Sequence, residues 1–265
     1  MDMRLMQWIG IGAVVLALAA LPALDAIRTP TVAWAQQDLE DEDTGNGVSA
    51  DEADRDPVAY LTALDMIAAY YHAGRDVYLA GEPESAAAIF AHPIDAIYAE
   101  LDPVFTKRGI APFDAQMELA SELAATQAPQ DKVTDAVNAV LASLTEAALK
   151  APTPGTRSLD VQARVLADMI DRAAREYRAA AATAPDEETP YLDGYGFYRA
   201  AKARADTVLE RIAAKDRAAA SAAREALALL ARAYTQARRP DRLPVEPGAV
   251  VDRAVRAKRA LGAVT

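Results

Sequence analysis

The stretch Asp56–Gly109, DPVAYLTALDMIAAYYHAGRDVYLAGEPESAAAIFAHPIDAIYAELDPVFTKRG, decides the fold of this chain, because it contains the start and stop signals of two consecutive helices. Asp56 and Pro57 form an N-cap followed by a proline in the first helical turn. Apolar residues then recur at helical spacing until Gly81, a typical helix stop. Pro83 begins a second helix two residues later. Because the connection is so short, the two helices are predicted to form an antiparallel hairpin.

Both histidines of the protein lie in this hairpin. His72 precedes the turn by about nine residues and His92 follows it by about ten, so at 1.5 Å per residue both lie about 14 to 15 Å from the turn. Asp76 comes one helical turn after His72, and Asp95 comes three residues after His92. We therefore predict a metal site in which two imidazoles and two carboxylates converge between the helices: His72, His92, Asp76 and Asp95.

Nitrogen and oxygen donors without thiolate suit iron, zinc or copper(II). The two imidazoles can also ligate a haem, although the chain has no C-x-x-C-H attachment motif. A purely structural role is the alternative for each histidine. His72 then packs at the border of the apolar stripe beside Tyr71, and His92 ends its helix before Pro93, where a cation suits the helix dipole. Both interpretations are open on the sequence alone.

Residues 1–35 have the pattern of a cleavable signal peptide. Arg4 lies in a short n-region, Trp8–Leu21 is an uninterrupted apolar run, and the motif A-W-A ends at Ala35. The run of about 14 residues is shorter than the roughly 20 that span a bilayer, so an uncleaved anchor is the weaker alternative. The chain has no cysteine, which excludes disulfides and a lipid-anchored lipoprotein. We expect a periplasmic protein, cleaved after Ala35.

The residues after the predicted cleavage site, 36–55, are expected to form a disordered acidic leader. Residues 36–57 contain nine acidic side chains, one basic side chain and few apolar ones, so this segment cannot bury enough surface to fold. It can serve as a solubilising spacer. Capture of cations by its carboxylates, or docking onto the basic end of the chain, are the alternatives.

Residues 56–265 are predicted to form an all-α antiparallel bundle of about seven or eight helices. Alanine dominates, β-branched residues are few, and no segment alternates as a strand does. The loops are short, which makes neighbouring helices antiparallel. The proline-rich segment at 151–157 is the one candidate boundary for a subdivision of the bundle.

A second unusual stretch is YLDGYGFYRAAKA, residues 191–203. Tyr191, Tyr195 and Tyr198 fall at i, i+4 and i+7, which indicates the core stripe of a helix. Gly194 and Gly196 interrupt this stripe, although each costs on the order of 1 kcal/mol relative to alanine inside a helix. Their presence predicts the close approach of another backbone or of a ligand.

Charge and motifs restrict the function classes. The chain has no G-x-S-x-G, S-x-x-K or H-E-x-x-H motif and no cysteine, so we expect no enzyme. A formal net charge of −11 argues against nucleic acid as a partner. Residues 199–265 nevertheless contain 15 basic and 7 acidic side chains. This basic third predicts weak contact with an anionic membrane surface.

Two segments carry a family resemblance: YYHAGRDVYLAGEPESAAAIFAHPIDAIYAEL, residues 70–101, and YLDGYGFYRAAKA. They resemble exported helical proteins, or periplasmic extensions, of bacterial iron-permease uptake systems related to imelysin-like proteins. The resemblance implies metal handling, with iron as the first choice, an inner-membrane transporter as partner, and His72 and His92 as the matching positions. The G-x-H-x-x-E motif of the imelysin-like relatives is absent, since His72 is followed by Ala-Gly-Arg.

The favoured function is therefore a periplasmic metal-binding or metal-delivery protein. The alternative is a helical adaptor of the cell envelope that binds no metal. The adaptor alternative predicts an apolar groove lined by Tyr60, Tyr70 and Tyr98, with the two histidines pointing apart. Spacing similar to one tetratricopeptide repeat occurs in the hairpin, at Gly74, Gly81, Ala86 and Phe90, but no second copy follows.

The cleavage prediction is tested by the mass of the exported protein. The mature chain should begin at Gln36, because the A-W-A motif directs cleavage after its last alanine. Intact-mass spectrometry of protein recovered from periplasmic extract measures this directly. A mature pool that still carries Met1 contradicts the prediction.

Overall fold

The computed structural model describes residues 49–153 and 158–265, and every regular element in these ranges is helical. The elements are α1 (Ala50–Ala53), α2 (Pro57–Leu79), α3 (Pro83–Pro93), a π-helical turn (Ile94–Tyr98), α4 (Ala99–Lys107), α5 (Asp114–Ala125), α6 (Gln130–Ala148), α7 (Leu159–Ala182), α8 (Thr189–Lys215), α9 (Arg217–Ala233) and α10 (Pro247–Gly262). The prediction of an all-α bundle is confirmed. None of these helices is both long and apolar enough to cross a membrane. The predicted signal peptide and leader residues 36–48 lie outside the described residues.

The α2–α3 hairpin forms at the predicted signals. The Asp56 carboxylate accepts a hydrogen bond from the Val58 N–H at 2.7 Å and caps α2. Gly81 has φ = 90°, a conformation that favours glycine, and it separates the two helices. Helix α3 then folds back and packs against α2. The predicted antiparallel hairpin is confirmed.

The described fold begins earlier than the predicted leader boundary at residue 55. Residues Ala50–Ala53 form a helical turn, and Ala53 is buried. Asp54 forms ion pairs with Lys107 and Arg108 at the end of α4. The acidic composition of this segment suggested disorder, but the two bases that compensate Asp54 lie more than 50 positions away in the sequence. Residues 49–55 therefore belong to the bundle and not to the leader.

Helix α2 is the central element of the bundle. It contacts α3 and α6, which precede the loop near 151–157 in the sequence, and also α7 and α8, which follow that loop. Fourteen of its 23 residues are buried, so it has almost no solvent-facing stripe. The described residues form a single compact unit. The loop near 151–157 therefore does not separate two domains.

Close helix packing depends on two glycines of α8. A Cβ atom at Gly196 would lie 2.7 Å from the backbone oxygen of Ala69 and 3.3 Å from the Ala73 Cβ. A Cβ atom at Gly194 would lie 1.8 Å from the Tyr234 hydroxyl. Gly196 thus lets α8 touch the backbone of α2, and Gly194 makes room for Tyr234. The glycine pattern in the sequence correctly predicted a close approach at this place.

Substitution of Gly196 by alanine should destabilise the fold. The added methyl group would overlap the Ala69 carbonyl, which belongs to a buried helix and cannot move aside. Overpacking of this kind costs about 1 to 3 kcal/mol, enough to outweigh the gain of about 1 kcal/mol from replacing glycine in a helix. Urea unfolding followed by circular dichroism measures the change.

Gly262→Ala is the matched control. Gly262 lies at the end of α10, and an added Cβ would meet no heavy atom of another part of the described chain within 4 Å. Its free energy of unfolding should stay at the wild-type value or rise slightly. Equal unfolding midpoints for Gly196→Ala and the wild-type protein would refute the backbone contact.

Candidate functional site

The two histidines of the hairpin lie on opposite sides of α2. The His92 ring packs on Tyr70, with ring centroids 4.9 Å apart. Tyr71 stacks on Phe90 and marks the line of contact between α2 and α3. Successive residues of an α-helix are 100° apart, so His72 lies about 200° around α2 from Tyr70. The imidazole of His92 is therefore on the side of α2 away from His72.

The two carboxylates of the predicted metal site are separated as well. Asp76 shares a helix face with His72, whereas Asp95 is exposed on the π-helical turn. In residues 49–153 and 158–265, no group of three or more His, Asp or Glu side chains is placed to hold a metal ion. The structure thus places His72 and Asp76 on one face of α2, whereas His92 and Asp95 lie elsewhere. The hairpin prediction gave the position of each residue along its helix axis, but it did not give the direction in which the residue points around that axis.

Asp76 is the centre of a charged network between α2 and α8. Tyr195 donates a hydrogen bond from its hydroxyl to Asp76 Oδ2 at 2.9 Å. Arg199 forms an ion pair with Asp76 and also donates to the Tyr195 hydroxyl at 2.9 Å. Arg75 Nε donates to Asp76 Oδ1 at 3.2 Å. Two guanidinium groups thus share one carboxylate, which leaves an excess of positive charge beside His72.

His72 is held in its neutral form by this environment. Burial, and then the positive charges of Arg75 and Arg199, lower the pKa of His72 to about 4. Its Nδ1 atom is buried and has no hydrogen-bond partner in the part of the chain that the structure describes. Buried polar atoms are nearly always hydrogen-bonded. The His72 side chain lines two clefts, although Nδ1 itself has almost no exposed surface.

Two adjoining clefts open on either side of His72. The first, which we call the tyrosine lobe, has a volume of about 410 Å³. It is lined by His72, Tyr195, Tyr198, Arg199, Lys202, Ala203, Asp206, Ala231, Tyr234 and Thr235. The second, the leucine lobe, has a volume of about 370 Å³. It is lined by Leu64, Asp65, Ala68, His72, Leu141, Leu144, Thr145, Ala148, Ala200, Ala203, Arg204 and Thr207. His72 and Ala203 line both lobes, and each lobe has the size of a small-molecule site.

A second titratable cluster lies between α7 and α8. Burial, and then the charge of Glu176, raise the pKa of Asp193 to about 7. Burial also raises the pKa of Glu176, and Arg172 partly offsets this. Asp193 lines a narrow slot between α2 and α8 beside Tyr70. Burial thus disfavours the ionised form of both carboxyl groups, and the negative charge of Glu176 adds to this effect at Asp193.

The sequence analysis missed this acidic pair. Single acids on a long helix are usually solvated, and the two residues lie on different helices. The one available signal was position, because Asp193 directly precedes Gly194, where the close approach was predicted. Burial of a neighbour follows from such an approach, and burial is what raises the pKa.

Comparison with protein-family models, with curated proteins and with solved structures finds no match for this chain. The resemblance of residues 70–101 and 191–203 to bacterial iron-uptake proteins therefore stays a prediction. What the chain binds has to be argued from the geometry around His72.

Asp193→Asn should change how stability depends on pH. Asp193 binds a proton in the folded protein up to about pH 7 but loses it near pH 4 when unfolded, so its contribution to stability decreases as pH rises between these values. The wild-type protein should lose about 3 kcal/mol between pH 5 and pH 8 relative to the variant, at 1.36 kcal/mol per pH unit. Urea unfolding at a series of pH values measures this difference.

His72 titrates in both proteins, so its opposite contribution cancels in the comparison. Asp186→Asn, at an exposed position in the loop before α8, is the control and should give a curve parallel to the wild type. Parallel curves for Asp193→Asn would show instead that Asp193 is ionised in the folded protein at pH 5.

Proposed function

We propose that this protein is a non-enzymatic binding protein that holds a small anion beside His72 in the tyrosine lobe. The proposal depends on one observation, a cleft lined by the neutral His72 side chain together with the cationic side chains of Arg199 and Lys202. A neutral imidazole can give or accept one hydrogen bond. The two cationic side chains supply the charge that an anion needs.

The charges around the tyrosine lobe favour an anion over a cation. Two cationic side chains, Arg199 and Lys202, line the lobe with one carboxylate, Asp206. Lys202 is bound to Asp206 at 3.0 Å in an exposed pair. Such a pair contributes at most about 1 kcal/mol, so Lys202 can exchange it for a ligand. We expect the anion to lie between Arg199 and Lys202.

Arg199 is positioned before any ligand arrives. Its guanidinium is held by Asp76 and by the Tyr195 hydroxyl, and it lies 5.7 Å from the centroid of the Tyr195 ring. A side chain fixed in this way loses little conformational entropy on binding. This arrangement is typical of a site that recognises a carboxylate or a phosphate.

The predicted metal carrier draws less support from the geometry. A neutral imidazole is the form that binds metals, which keeps iron, copper and zinc as alternatives, with haem as a further one. However, the positive charges of Arg75 and Arg199, which lower the pKa of His72, also repel a cation. His92 and Asp95 are exposed and do not lie beside His72. Metal binding stays a prediction, and the titration experiment described below tests it together with anion binding.

The adaptor alternative draws less support from the geometry. Tyr60, Tyr70 and Tyr98 are all buried, which leaves little of their surface for a partner. Tyr60, for example, donates its hydroxyl to the Ala147 backbone oxygen at the end of α6. The large apolar side chains with the greatest exposure are Leu79, Leu119, Leu149 and Val255. They lie on or next to four different helices, and single exposed apolar residues of this kind are common on soluble domains.

Contact of the basic third with an anionic membrane also stays a prediction. Several of its bases are paired with carboxylates of the bundle: Arg199 with Asp76, Arg204 with Asp65, Arg253 with Glu225 and Lys258 with Asp171. These pairs reduce the charge that remains for a lipid surface. They weaken the case for membrane contact.

Isothermal titration of the full mature chain tests the proposed anion site. Acetate, succinate, citrate and phosphate form the anion panel, and iron, copper and zinc salts form the metal panel. At least one anion should saturate a single site. Lys202→Ala should weaken its binding roughly tenfold, because a hydrogen bond between charged groups is lost.

Lys215→Ala is the matched control, since Lys215 is exposed at the far end of the same helix and lies outside both lobes. It should bind the anion as tightly as the wild-type protein. Saturable metal binding that disappears in His72→Ala, with no response to any anion, would replace the proposal by the metal carrier.

A further inference from the structure

We infer that the ligand is amphipathic, an organic carboxylate whose apolar chain lies in the leucine lobe while its charged head lies in the tyrosine lobe. The inference rests on the proposed anion site and adds the chemical class of the ligand. It follows from three features of the leucine lobe: its apolar walls, the internal satisfaction of its polar groups, and its junction with the tyrosine lobe.

The walls of the leucine lobe come from three helices and are mainly aliphatic. Helices α2, α6 and α8 contribute the apolar side chains Leu64, Ala68, Leu141, Leu144, Ala148 and Ala200. Leu64, Leu144 and Ala200 belong to the buried core. An apolar chain that enters this lobe replaces water on aliphatic carbon, which is favourable in proportion to the area covered.

The charged groups of the leucine lobe are already satisfied by each other. Arg204 binds Asp65 through two parallel contacts, from Nε to Oδ2 and from Nη2 to Oδ1. Its remaining nitrogen, Nη1, donates to Gln162 Oε1. These contacts use three of the five N–H donors of Arg204, and the Asp65 carboxylate balances its charge, so the pair carries no net charge. The lobe therefore provides no charge that a second anionic group would need.

The two threonines of the leucine lobe are satisfied in the same way. Thr145 donates its hydroxyl to the Leu141 backbone oxygen at 2.8 Å, and Thr207 donates to the Arg204 backbone oxygen at 2.8 Å. Both hydroxyls thus bond within their own helix. A ligand group in this lobe finds aliphatic carbon and few free donors, which favours an apolar group over a polar one.

The junction of the lobes determines the orientation of the ligand. His72 and Ala203 line both lobes, and in the inferred pose the ligand crosses from one lobe to the other at these two residues. Its carboxylate then lies toward Arg199 and Lys202, and its chain lies toward Leu64 and Leu144. The positive excess is at one end and the apolar surface at the other, so the charge pattern selects one direction.

Titration with straight-chain carboxylates tests this inference. Acetate, butanoate, hexanoate and octanoate are titrated into the full mature chain below their aggregation concentrations, with 1-octanol as a head-group control. Each buried methylene should tighten binding about three- to fourfold until the lobe is full. Octanol should bind much more weakly than octanoate, because it has no charge for Lys202.

Thr207→Trp should remove the dependence on chain length, since its ring would fill the exposed edge of the leucine lobe. Acetate should still bind this variant as it binds the wild type. Thr106→Trp, at an exposed position on α4, is the control and should keep the full dependence. Thermal unfolding of both variants checks that they are folded.

The outcomes distinguish failure of the amphipathic ligand from failure of the anion site. Acetate that binds without any further gain from longer chains would overturn the amphipathic ligand and leave the anion site standing. Binding of phosphate but of none of the carboxylates would likewise overturn the amphipathic carboxylate alone, whereas binding of no anion at all would overturn the anion site itself. Chain-length dependence that persists in Thr207→Trp would place the chain outside the leucine lobe and so overturn the inference.

Discussion

The contact between the backbones of α2 and α8 at Gly196 is the constraint on which the candidate site depends. With Gly196 against Ala69, the residues on either side of it are directed to opposite sides of α2. Phe197 packs edge-on against Tyr70, whereas Tyr195 reaches Asp76. One crossing point therefore places the acidic cluster on one side of α2 and the two lobes on the other. A methyl group at Gly196 would separate the helices and disturb both.

Many of the ion pairs in the described part of the chain join helices that are distant in the sequence. The basic third of the sequence carries the partners of acids in earlier helices, as in the Arg204–Asp65 and Lys258–Asp171 pairs. Partly buried pairs of this kind contribute little net stability, since desolvation offsets most of the attraction. They do penalise any other register of α8 on α2, because a slipped helix would leave both charges unpaired. The uneven charge of the sequence thus becomes a set of matched contacts in the fold.

The sequence was sufficient for features that depend on neighbouring residues, and insufficient for those that depend on rotation or burial. The cap at Asp56 and the turn at Gly81 are local and were predicted correctly. The metal-site prediction required His72 and His92 to converge, and only the adaptor alternative had them pointing apart; a rotation of 100° per residue reverses direction within two positions, so the spacing could not decide between them. The raised pKa of Asp193 depends on which helix covers it, and no local pattern reports that.

The position of α2 in the chain has a consequence for how the protein is made. Helix α2 is among the first described elements to be synthesised, yet hydrogen bonds that fix it to α8 join residues 119 and 139 positions apart. Contacts over such separations form slowly, because a long loop must close first. Until α8 is complete, the apolar sides of α2 stay uncovered and open to association with other chains. The helix that is made early is therefore among the last to be buried, and a nascent chain halted before residue 189 would lack both lobes.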